Sequence, residues 1–110
     1  MTDAPSSNQT PMQQAVQAFL PGASDIAAIP GHPDIVRVTT PGGEWRVRRW
    51  PPETPDSDVT FSHEVLEIAR RAAPDLTPEL LLTAHDAPAD AVRVDGRLYD
   101  AQQWLPGAPA

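Results

Sequence analysis

The chain has 110 residues with 15 acidic and 8 basic side chains, and its formal net charge of -7 argues against general affinity for nucleic acid or anionic lipid. It has no cysteine, which excludes a disulfide framework and thiolate metal ligation and leaves packing and hydrogen bonds to hold the fold. The length suits one domain with one modest core, and no apolar run approaches the roughly 20 residues of a bilayer span.

Residues 1–9 are polar, small and unpatterned, which predicts a disordered tail. They lack the charged start and apolar middle of a secretion signal, so a cytoplasmic location is expected. A helix is predicted over residues 10–22. Thr10, Pro11 and Gln13 form a capping box with proline at the first helical position, and Met12, Ala15, Val16, Phe19 and Leu20 recur on one face. That face is expected to lie against the chain's own sheet, and Pro21-Gly22 ends the helix.

Short strands are expected next. Residues 25–30 form one, Ile35 to Thr40 a second and Glu44 to Trp50 a third, with Gly31-His32-Pro33-Asp34 and Pro41-Gly42-Gly43 as turns. In the third strand Trp45, Val47 and Arg49 should face one way and Arg46, Arg48 and Trp50 the other. Fourteen prolines would suggest disorder if they were scattered, but most fall between periodic segments, where they punctuate elements without breaking them.

After a proline-rich acidic connector over residues 51–58, Ser62 to Ala73 returns to helical period. Ser62 serves as the expected N-cap, Val65, Ile68, Ala69 and Ala72 lie on one side, and Arg70 and Arg71 complement the dipole of the last turn. The segment Thr77 to Thr83 fits either a capped helical turn or a buried strand; a short turn followed by a strand is the expectation. Ala91 to Val94, Asp95-Gly96 and Arg97 to Ala101 form the strongest hairpin signal, because Asp-Gly readily takes the positive φ angles of a type I′ turn.

The predicted order is helix, three strands, helix, two strands, an α+β fold with a small antiparallel sheet of about five strands and a packed helix. Within it, Trp45-Arg46-Val47-Arg48-Arg49-Trp50, Phe61-Ser62-His63-Glu64-Val65-Leu66, and Val94 to Tyr99 leading to Trp104-Leu105-Pro106-Gly107 carry a resemblance. Residues 23–107 resemble the N-terminal lobe of the aminoglycoside phosphotransferase family, within the protein-kinase-like superfamily, and residues 108–110 would begin the segment between lobes.

The resemblance implies ATP as the nucleotide. In kinases a third-strand cation neutralises the α and β phosphates and is held by a glutamate of the following helix. Arg48 and Glu64 take those places here, with Arg46 and Arg49 as rival cations. Gly31 falls where the family has its loop over the phosphates, although one glycine in a proline turn is a weak cradle. Gln103, Trp104 and Leu105 fall at the hinge that meets the adenine edge.

The acceptor-orienting aspartate and the magnesium ligands come from the C-terminal lobe in this family, so this chain alone is expected to be non-catalytic and magnesium to enter only through that lobe. The partner expected is that lobe, or a second copy through an apolar interlobe surface around Tyr99, Trp104 and Leu105. A stand-alone acidic interaction domain that has kept the kinase-like sheet is the alternative function. The three histidines, His32, His63 and His85, show no metal-binding spacing, and His85-Asp86 reads as a surface loop.

Overall fold

The computed structural model describes residues 10–84 and 89–105. Helix α1 (Pro11–Phe19) is followed by strands β1 (Asp25–Ile29), β2 (His32–Thr40) and β3 (Gly43–Arg49). Helix α2 (Asp56–Ala72) then precedes β4 (Val92–Val94) and β5 (Arg97–Gln103). The five strands form one antiparallel sheet in the order β1-β2-β3-β5-β4, so the α+β expectation holds.

Helix α1 starts as its residues dictate. The Thr10 hydroxyl accepts from the Gln13 backbone N–H at 3.1 Å and the Gln13 side chain accepts from the Thr10 N–H at 2.9 Å, which satisfies two donors that the first turn would otherwise leave unpaired. Thr10→Ala is expected to cost about 1 kcal/mol, seen as a lowered midpoint in thermal unfolding; an unchanged midpoint would show that the cap contributes nothing.

Register decides what each sheet face carries. Val38 pairs with Trp45, and Val47 with both Val36 and Ala101, so these residues share a face with Tyr99. Ala15, Val16, Phe19 and Leu20 of α1 and its C-terminal cap close that face into a core with Val38, Val47, Tyr99 and Ala101. Each large side chain so buried contributes roughly 1.5–3 kcal/mol. Helix α1 and the sheet therefore share one core.

The opposite face is polar. Arg37 pairs with Arg46, Arg46 with Gln102 and Arg48 with Asp100 across neighbouring strands. Helix α2 docks on this side, which corrects two expectations. It begins six residues before Ser62, at Asp56, with Pro55 as a cap lacking a side-chain bond and Asp56 and Asp58 in the first turn complementing the dipole. It also turns inward Val59 and His63, while Val65 and Ile68 point outward at 49% and 65% exposure. A polar sheet face offers an apolar stripe nothing to bury against, so the histidine side of the helix wins the contact.

The turns follow their chemistry. Asp95 and Gly96 both have positive φ, 55° and 83°, as a type I′ turn requires. The turn between β1 and β2 is shorter than expected, only Pro30-Gly31, with Gly31 at φ 81° and His32, Pro33 and Asp34 already in β2. Thr77 to Thr83 forms no full strand: Leu80 makes an isolated antiparallel bridge to Gln102, and the Leu81 N–H donates to the Ala101 carbonyl at 2.9 Å. No described helix is long and apolar enough to cross a membrane. The expected tail over residues 1–9, the His85-Asp86 loop and everything from Pro106 onward lie outside the described residues.

Candidate functional site

The polar face gathers the chemistry-bearing side chains. At its centre Asp100 of β5 is 1% exposed, although a buried carboxylate is costly unless its charge is matched. Three donors match it. Arg48 on the adjacent strand gives a two-pronged contact, Nε to Oδ1 at 3.3 Å and Nη2 to Oδ2 at 3.0 Å, and His63 Nε2 of α2 lies 2.8 Å from Oδ2. Burial alone would raise the Asp100 pKa, but the bonds from His63 and Arg48 outweigh it and hold the carboxyl below its ordinary range.

His63 is gripped from both sides. Its Nδ1 lies 2.8 Å from Asp90 Oδ2, while Nε2 meets Asp100. A carboxylate oxygen faces each ring nitrogen, an arrangement that favours the imidazolium, the one form of the ring that donates from both sides. Burial opposes that charge, yet the bonds to Asp100 and Asp90 prevail and raise the histidine's pKa. Through this ring α2 is tied to β5 and to the segment before β4.

Around this node lie two arginine–tryptophan stacks. The Arg48 guanidinium sits 4.2 Å from the Trp50 ring centre, and Arg37, which also pairs with Glu44, sits 4.7 Å from that of Trp104. Between them Arg46 donates from Nη2 to Gln102 Oε1 at 2.6 Å and takes part in no ion pair among the described residues. Its pKa is lowered by burial first and by the neighbouring Arg48 charge second, with Asp100 pulling weakly the other way. Trp50 adds an indole N–H that is buried and has no hydrogen-bond partner among the described residues.

The expected Arg48–Glu64 pair is not formed. Arg48 is occupied by Asp100, and Glu64 is exposed beside the shallow cleft that α2 makes with Leu80, Leu82 and Asp90. One residue of helical rotation explains this, since His63 takes the inward position and turns Glu64 aside. Arg49 is on the α1 side, where Asp34 accepts from its Nε at 2.8 Å and Nη2 at 2.6 Å and raises its pKa.

The remaining expected site residues divide likewise. Gly31 sits in the two-residue turn at one end of the sheet. At the other end the N–H groups of Gln103 and Trp104 already donate to the Glu79 and Glu44 carbonyls at 2.8 and 3.0 Å, so an adenine edge could be met there only by Leu105 or by carbonyl oxygens. Of the residues expected to form an apolar interlobe surface, Tyr99 instead faces α1 at 1% exposure, while Trp104 and Leu105 are partly exposed.

Asp100, His63, Asp90 and Trp50 were not anticipated as a cluster. The available signal was an aspartate inside an apolar strand, Leu98-Tyr99-Asp100-Ala101, two positions after a leucine on the same face.

Fold and site together define a small α+β domain with one helix-sealed apolar face and one polar face of arginines and tryptophans organised about a buried aspartate. No family model, curated protein or solved structure matches the chain.

Proposed function

We propose that the chain is the nucleotide-binding small lobe of an aminoglycoside-phosphotransferase-like, ATP-dependent kinase of small molecules, dependent on a second lobe for the acceptor-orienting aspartate and the magnesium ligands. The reading is supported above all by Arg46, a half-buried cation with no carboxylate partner among the described residues, on the sheet face that also carries Arg48 and α2. A polyphosphate supplies the missing negative charge, and guanidinium forks bind its oxygens in pairs.

The donor set suits such a ligand in other respects. The buried indole N–H of Trp50, beside Arg48, has no partner among the described residues, and Trp104 offers an aromatic ring at the strand end that leads towards the expected hinge. Arg48, held by Asp100, positions the phosphates from a fixed fork; Arg46 carries the uncompensated charge. Arg46 thus joins Arg48 in the cation's role, and Asp100 with His63 joins strand to helix in place of Glu64.

Titration of the full chain with ATP and magnesium, followed by tryptophan fluorescence, tests this. Arg46→Ala is expected to weaken binding about tenfold, the loss of a charge-assisted bond, whereas Arg49→Ala on the other face should leave affinity unchanged. Equal titrations for all three proteins, or none at all, would remove the nucleotide from this face.

A further inference from the structure

Helix α2 keeps an apolar row that nothing in the described structure covers. Phe61, Val65 and Ile68 are 67%, 49% and 65% exposed, and Ala72 continues the row. They are spaced four, three and four residues apart, which is the a/d repeat of a helix that packs along a second helix. On a lone surface helix such a row would leave its apolar area in water.

The flanks say which helix fits. Glu64 and Arg71 both occupy the position immediately before an a residue, on the same edge of the row. Both are exposed: Arg71 is 77% exposed and its one ion pair among the described residues is to the exposed Glu67 at 4.0 Å, and Glu64 takes part in no ion pair among the described residues.

We infer that this face pairs with a second copy of itself in antiparallel orientation. Val65 then packs on the partner's Ile68, and Phe61 on the partner's Ala72, large against small, with the same contacts repeated by the two-fold axis. In this alignment, and not in a parallel one, Glu64 lies beside the partner's Arg71 and Arg71 beside the partner's Glu64. The two helix dipoles also oppose head to tail. The one apolar row of α2 and the one oppositely charged pair on its edge are satisfied by the same symmetric arrangement.

This pairing uses the outer side of α2 and is independent of the nucleotide reading, which concerns the sheet face beneath it. The seam is short, so association is expected to be weak and concentration-dependent.

Sedimentation equilibrium of the full chain at near-physiological salt, over a dilution series reaching about 1 mM, should show the mass rising from the 11.9 kDa monomer towards a dimer. Ile68→Glu should hold the monomer mass throughout. Glu64→Arg, which sets like charges together twice, should raise the dissociation constant roughly tenfold, and the swap Glu64→Arg with Arg71→Glu should bring it back to within about twofold of the original. All these positions are exposed, and circular dichroism checks that each variant keeps its helix content. A chain that stays monomeric overturns the proposal and leaves this row to a different protein. So does association that Ile68→Glu does not affect, or a double swap that binds no better than Glu64→Arg.

Discussion

Replacing Asp100 with alanine is expected to destabilise the domain by about 3–5 kcal/mol, the cost of removing one member of a buried ion cluster and leaving its partners behind. The carboxylate is 1% exposed and receives Arg48 through both oxygens and His63 through one. Without it a guanidinium and an imidazolium face each other with no charge between them, and the ring can escape only by losing its proton. A domain of this size has roughly 5–15 kcal/mol in total, so the variant should be partly unfolded near body temperature.

The damage should also be located. Val59 and His63 are the buried residues of α2, so losing the His63 anchor should loosen the helix from the sheet before the α1-covered core opens. Hydrogen exchange should therefore quicken across α2 more than across β2 and β3. Asp34→Ala, which takes the acceptor from Arg49 at a site 47% exposed, is the control and should cost less than about 1 kcal/mol. If chemical denaturation placed Asp100→Ala and Asp34→Ala at the same stability, the central role given to Asp100 would be lost.

What could be read from the residues alone was whatever short-range chemistry decides. The start of α1 is written in Thr10, Pro11 and Gln13, and the β4–β5 hairpin in Asp95-Gly96; both need only neighbours within three residues. The alternation of Trp45, Val47 and Arg49 against Arg46 and Arg48 likewise follows from the pleat. The orientation of α2 was not available in the same way. Val65, Ile68 and Ala72 form a convincing apolar side, and only the polarity of the face beneath, set by Asp100 thirty-seven residues beyond His63, turns that side outward.

The start of α2 was hidden for a different reason. Asp56-Ser57-Asp58 after a run of prolines suits a loop as well as a first helical turn, because the same short acidic side chains serve both. The site suffered from a related ambiguity: Arg46, Arg48 and Arg49 look alike in sequence, and only the folded structure gives Asp100 to Arg48, Asp34 to Arg49 and, among the described residues, no carboxylate to Arg46.

Stability should therefore depend on pH in a direction that His63 and Asp100 fix. A histidine whose folded pKa is raised contributes stability that is fully present below its unfolded value of about 6.5 and is lost as pH rises through the higher folded value. An aspartate whose folded pKa is lowered contributes above its unfolded value of about 3.9, and that contribution is lost as pH falls through the lower folded value. The shifts found here have those signs. The charged groups facing or near the ring are Asp100, Asp90, Arg48 and, from α2 itself, Glu64 and Glu67. Denaturation midpoints should accordingly be highest between about pH 4 and 6.5 and decline towards alkaline pH as the ring gives up one of its two protons. When that happens one carboxylate loses its donor, and the link between α2 and the sheet weakens while Arg48 still holds Asp100. His63→Gln, which keeps an amide donor but cannot titrate, should begin less stable at pH 6 and show little of the alkaline decline. A midpoint that rises above pH 6.5, or an alkaline limb identical in the glutamine variant, would mean that the ring is not held as an imidazolium between its two aspartates.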